Sequence, residues 1–403
     1  MALDDTTTAA DDCIACHMPR RRTQDVVGIV MTDHLITRRL DGDPLAAIRE
    51  TAPPQGAAVE YYFPERAPAE PQRSIYMAIS SAADGNLAAT DTLRALIGDA
   101  RPASVEPYLE LAAAQLRGGQ PQAAVTTLGV VLSRRPDQPL ALANTGVALS
   151  ALGRHREAVQ ALGRAVELAP DVADNHYNLA ATLARLGRTL EATRHYEMAL
   201  TLRPNHAKAW LNLGNIHARG KRYGAAIAAY RRALSVNPDL AAASRSLGTA
   251  LRYVGDWAGA VGVWTHAARR AREHAGIARE LALARLVAPD ESVRDAVDGL
   301  RWARSAVTIA PDSRRAAAVL AAALVINQRF EESIVAAERA AELGADEATV
   351  LFVKALALRG MGQRLRSEAA WNQARRAATA SPRPDMLRTA MSQRADEAFR
   401  SGS

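Results

Sequence analysis

From about residue 105 onward, apolar residues recur three and four positions apart in stretches of about a dozen, and the stretches are separated by glycine or proline. The clearest pair, AKAWLNLGNIHAR followed by YGAAIAAYRRALSV, predicts two amphipathic helices over 207–219 and 223–236. A glycine lies near the turn between them, and Pro238 stops the second because it cannot donate to the helix ladder. The pattern then repeats. Pro102, Pro136, Pro170, Pro204 and Pro238 follow one another at 34 residues. Ala124, Ala158, Ala192, Ala226 and Ala260 form a second column, Ala165, Ala199, Ala233 and Ala267 a third, and Gly119, Gly153, Gly187 and Gly255 a fourth. The last column is interrupted at Lys221, where the glycine slips to Gly220. Small residues at fixed intervals let helix backbones approach, while Trp210, Leu213 and Tyr230 fill the space between. The pattern therefore predicts an all-α chain of stacked antiparallel helix pairs.

Units beginning near Val105, Pro139, Ala173, Ala207 and Ala241 account for residues 105–274, and a divergent unit precedes them over 71–104. Residues 275–313 break the period with a lengthened unit, in which ESVRDAVDGLRWARSAVTIA is expected to be helical. Further repeats are expected over 314–376, so the solenoid spans 71–376 and leaves 377–403 as a polar, frayed tail. Trp210, Leu213, Gly214, Ala226, Tyr230, Ala233 and Pro238 match signature positions of the tetratricopeptide repeat, which this region resembles, with His217 standing where an aromatic is usual. The resemblance implies a right-handed superhelix whose first (A) helices line a groove for a protein or peptide partner. In that groove Asn144, Asn178 and Asn212 recur at 34 residues, with Ser246 next in line and Asn215 one turn from Asn212. An amide both donates to a peptide carbonyl and accepts from a peptide N–H, so such a ladder is able to hold an extended segment by its backbone. Asparagine is also the repeat's ordinary residue there, so the column has a structural reading as well. Ala143, Val147 and Tyr177 stand where the family's carboxylate clamp requires charged or amide groups.

Composition agrees with helices: 48% of the 403 residues are apolar, yet only 4% are aromatic, and alanine and leucine supply the difference. The longest apolar run, Ala316 to Ile326, is 11 residues, against the roughly 20 needed to cross a bilayer. The formal charge of +7 is carried almost wholly by arginine, the lysines being Lys208, Lys221 and Lys354. No basic stripe interleaved with aromatics accompanies it, so nucleic acid is not an expected partner. Residues 1–70 hold seven arginines against twelve carboxylates, a net of −5, which leaves +12 for the rest.

The two cysteines lie in Cys13-Ile-Ala-Cys16-His17, the spacing of covalent c-type haem attachment. On one helical turn both thiols face a common side and His17 follows them, able to present a ring nitrogen to iron. A closed zinc site would need further ligands, and a redox disulfide lacks its βαβ context. The stretch CIACHMPRRRTQDVVGIVMTDHLITRR, extending to the aromatic patch Tyr61, Tyr62 and Phe63, resembles the haem segment of multihaem c-type cytochromes fused to tetratricopeptide repeats. That resemblance implies one covalent haem c on Cys13 and Cys16, with His17 and His34 on the iron and Met31 as an alternative to His34. Gly28 stands where such segments often carry a further histidine. Arg20, Arg21 and Arg22 read equally as propionate partners or as a solvated run, and the aromatic patch equally as haem cover or as packing against the first repeat. The other histidines, from His155 to His274, share no metal spacing and are expected to be repeat residues.

Residues 1–70 are thus expected to be a small irregular haem segment with a proline- and alanine-rich linker. The expected whole is a haem-bearing electron-transfer module fused to an interaction scaffold. The alternative is a scaffold whose CxxCH segment is vestigial or structural, and a third reading is an enzyme at a five-coordinate haem. No catalytic acid, base or nucleophile constellation supports enzymatic activity. MALDDTTTAADD has no basic region followed by an apolar one, yet haem attachment belongs outside the cytoplasmic membrane. Further sequence upstream, with a leader and a redox partner or additional haem domain, is therefore an expectation. Without haem, a cytoplasmic location is expected.

Overall fold

The computed structural model describes residues 69–83, 87–270, 274–380 and 385–400, which form helices joined by short turns, with no strand among them. The first pairs are α1 (Gln72–Ala83) with α2 (Leu87–Ala100), α3 (Glu106–Arg117) with α4 (Pro121–Arg134), and α5 (Pro139–Ala151) with α6 (His155–Leu168). Next come α7 (Ala173–Arg185) with α8 (Thr189–Leu202), α9 (Ala207–Arg219) with α10 (Tyr223–Val236), and α11 (Ala241–Tyr253) with α12 (Trp257–Arg270). The last pairs are α13 (Ala275–Val287) with α14 (Ala296–Ile309), α15 (Arg314–Ile326) with α16 (Phe330–Glu342), and α17 (Glu347–Gly360) with α18 (Arg364–Ala380), followed by α19 (Met386–Arg400). The bounds of α9 and α10 coincide with those read from the pattern. Odd-numbered helices from α1 to α17 pack on their own partner, on the preceding helix and on the next odd-numbered helix, whereas even-numbered helices make no comparable contact with one another. The odd helices are therefore the inner layer and the even ones the outer layer.

The small-residue columns are the points of closest approach between layers. Ala124, Ala158, Ala192, Ala226 and Ala260 are each fully buried. A Cβ on Gly146 would lie 2.4 Å from Leu162 Cγ, one on Gly214 2.6 Å from Tyr230 Cε1, and one on Gly248 2.3 Å from Trp264 Nε1. Leu162, Tyr196, Tyr230 and Trp264 occupy one outer-helix position of successive units, and each is essentially inaccessible. Gly119, Gly153, Gly187 and Gly255 adopt left-handed backbone (φ +68 to +88°) at the turn inside each pair, and Lys221 takes the same conformation at φ +57°. Left-handed geometry at this turn is thus a property of the repeat, and Lys221 adopts it at a steric cost that glycine does not incur.

Two segments differ from the expectation. The single helix anticipated over 291–310 is a short 3₁₀ turn, Glu291–Val293, followed by α14, because the Asp295 side chain accepts from the Asp298 N–H at 2.9 Å and starts a new helix. Within the stretch expected to be a polar tail, α19 buries Leu387, Met391 and Ala395, spaced four apart on one face. It folds back onto the inner helices α13, α15 and α17. Arg388 on the same helix is 3% exposed and pairs with Asp346 at 3.3 Å. The Trp371 and Phe399 rings stack at 4.8 Å and hold the far end.

Candidate peptide-binding groove

The inner layer sets the expected amides on one face, but not as equivalent rungs. Asn144 and Asn178 are half-buried, and their side-chain amides have no hydrogen-bond partner among the described residues. Asn212 Nδ2 donates to the Tyr177 hydroxyl over a long 3.5 Å. Asn215 Oδ1 accepts from the Tyr230 hydroxyl at 2.9 Å, and Ser246 lies beside that same phenol. Burial raises the Tyr196 and Tyr230 hydroxyls above the usual phenol range, so both stay protonated. Tyr177 of the inner helix α7 and Tyr230 of the outer helix α10 therefore engage the amides at 212 and 215, while those at 144 and 178 keep hydrogen-bonding capacity to spare. The column also runs on, at the same interval, to Glu110 and Glu280. Burial pushes the Glu110 carboxyl up, with Arg117 opposing, while Glu280 pairs with Arg279 at 2.7 Å.

Beside the ladder, Tyr177 stacks on His206 with centroids 4.5 Å apart. Asp174 accepts from Arg203 at 2.8 Å and lies 3.6 Å from His206 Nε2; hydrogen bonding to His206 and Arg203 holds its carboxyl below the usual range. His176 Nε2 donates to the Pro170 carbonyl at 3.0 Å, so neutral His176 accepts at Nδ1 from His195 Nδ1–H, also at 3.0 Å. Burial, reinforced by His176, keeps His195 below the usual histidine range.

Sequence reasoning passed over the arginines. Arg185 and Arg219 stand one repeat apart, as do Arg245 and Arg279. Arg185 and Arg219 lie about two helical turns beyond Asn178 and Asn212, and Arg245 immediately precedes Ser246, which places them along the amide column. The 34-residue interval was the available signal, obscured because arginine is abundant throughout the chain. Further along, the face ends in a cavity of about 880 Å³ between α11, α13, α15 and α19. Cys13, Cys16, His17, His34 and Met31, together with Arg20 to Arg22 and Tyr61 to Phe63, lie outside the described residues. Among the described residues no group of three or more His, Cys, Asp or Glu is arranged to hold a metal ion, and no helix is long and apolar enough to cross a membrane.

Two tetratricopeptide repeat models match the chain, over residues 109–173 and 171–239. No curated protein sequence matches it. Among solved structures, MamA (41 to the end) from Desulfovibrio magneticus RS-1 shares 22% identity, covering 43% of this chain and 98% of that one at a TM-score of 0.39. YrrB, described as a TPR protein with an unusual peptide-binding site, shares 18% over 47% of this chain and 95% of its own, also at 0.39. The Cut9–Hcn1 hetero-tetramer of APC/C covers more, 72% of this chain and 56% of its own, at 12% identity and a TM-score of 0.50. Residues 109–239 are thus tetratricopeptide repeats, and the described helices that follow continue the same all-helical stacking of pairs.

Proposed function

We propose that this chain is an interaction scaffold that holds an extended peptide segment of a protein partner against its inner helices. The observation that carries this reading is the pair of amides, Asn144 and Asn178, half-buried, one repeat apart and without a side-chain hydrogen-bond partner among the described residues. Each is able to donate to and accept from a peptide backbone, and the two recur at the same register of successive inner helices. Selection from a displayed peptide library, repeated with Asn144→Ala, Asn178→Ala and Asn212→Ala combined, tests it. Selected peptides should lose affinity for the triple variant while its far-ultraviolet helicity is unchanged; unaltered affinity rejects the ladder.

A second component rests on sequence chemistry alone. We propose that Cys13 and Cys16 attach one haem c, with His17 on the iron and His34 opposite, which would supply one-electron transfer and assign the chain to an extracytoplasmic compartment. The two thiols and adjacent imidazole are the donor set that haem c takes. Co-expression with a cytochrome c maturation system, followed by a haem-stained denaturing gel, tests attachment; an unstained band rejects it. His34→Ala should convert a low-spin spectrum to high-spin, and an unchanged spectrum would transfer the ligand role to Met31.

A further inference from the structure

The inner face of α7 to α13 is rich in positive charge that no carboxylate among the described residues neutralises. Arg185, Arg219, Arg245 and Arg252 have no carboxylate partner among the described residues. Nearby carboxylates are already engaged: Asp174 by Arg203, Glu280 by Arg279 and Asp346 by Arg388, while Asp385 caps the start of α19. Arg252 is the most telling. It is partly buried, with Nε inaccessible and unpartnered, its guanidinium 4.7 Å from the Tyr253 ring centroid and 5.9 Å from that of Trp257. Among the described residues it donates to the soft sulfur of Met386, at 3.5 Å. A guanidinium beside two aromatic rings and paired with no carboxylate among the described residues keeps its charge for a ligand's carboxylate, and partial burial strengthens that attraction. It stands where the open face meets the 880 Å³ cavity, whose rim adds Arg314 and Arg315. α19 covers the inner helices beyond this point, so the face accessible to a ligand ends here.

We propose that the partner segment held by this groove is acidic: an extended run of aspartate and glutamate whose backbone lies on the amides and whose carboxylates meet Arg185, Arg219, Arg245 and Arg252. The proposal rests on the peptide-scaffold reading and narrows it. Amides that take backbone groups carry no sequence preference, so the arginine row is what selects the ligand, through charge complementarity. A polyanion of another class, single-stranded nucleic acid, is disfavoured because the groove offers amides suited to a peptide backbone and no row of exposed aromatics for bases to stack on.

Fluorescence anisotropy with the full chain tests it, using three labelled probes: a twelve-residue glutamate-rich peptide, the same peptide with glutamine for glutamate, and a single-stranded oligonucleotide. The acidic probe should bind at least about tenfold more tightly than the glutamine probe, and its affinity should fall steeply with added salt. Arg185→Gln with Arg219→Gln, both at exposed positions, should weaken it about tenfold, as should Arg252→Gln. Arg164→Gln with Arg339→Gln, on outer helices, should not. Equal binding of the glutamine probe overturns the acidic assignment and leaves the scaffold standing. Binding of neither peptide overturns both, and preference for the oligonucleotide replaces the peptide with nucleic acid. Should Arg252→Gln prove unstable, the exposed pair alone decides.

Discussion

Single residues set how closely the layers approach and at what cost. Gly248 faces the inaccessible Trp264, whose Nε1 is tied to the Arg245 carbonyl at 3.2 Å, so the indole cannot swing aside. Gly248→Ala gains about 1 kcal/mol of helix propensity but overpacks by about 1–3 kcal/mol. A net loss is expected in urea unfolding; a gain would mean that α11 and α12 separate freely. Lys221→Gly should instead stabilise by about 0.5–1 kcal/mol, since left-handed backbone burdens a side chain by more than the added freedom of an unfolded glycine. A lowered melting temperature would refute that account. Titration also acts here. Burial holds His195, His217 and His274 below the usual histidine range. The unfolded chain then binds more protons than the folded one as pH drops through about 6.5, so stability should be level above about pH 7.5 and decline toward pH 5.5. Melts across that range check it, and His195→Gln should flatten part of the slope.

At the scale of elements, α19 packs on the inner helices α13, α15 and α17. Met391 is fully buried, and truncating a buried methionine to alanine costs about 2–5 kcal/mol. Because each unit of a solenoid contacts mainly its neighbours, the loss should stay local. Hydrogen exchange on Met391→Ala should show faster amides in α13 to α17 and unchanged ones in α3 to α9; uniform acceleration would show cooperativity along the whole array. The two helices hardest to read in advance have a common cause. In α14 and α19 local polar chemistry sets the start: Asp295 caps one, and Asp385 caps the other by accepting from the Arg388 N–H at 2.9 Å. An arginine-rich run such as MLRTAMSQRADEAFR carries its apolar residues at helical spacing, yet its mean polarity hides them.

For the whole molecule, the sequence by itself determined the class and the period. Helix pairs every 34 residues, alanine at the crossings and glycine at the turns all follow from local propensity and from the need for small residues where backbones touch. The groove amides were legible as a column for the same reason. Tertiary structure decided which of them are spent: Tyr177 and Tyr230 reach Asn212 and Asn215 across helix boundaries, whereas Asn144 and Asn178 meet no such hydroxyl among the described residues. It also decided where the face ends, by bringing Met386 within 3.5 Å of Arg252, 134 residues away. Period and propensity are properties of neighbours along the chain. Whether a polar group remains open to a ligand depends on what the rest of the fold brings to it, and that is set by the return of a distant helix.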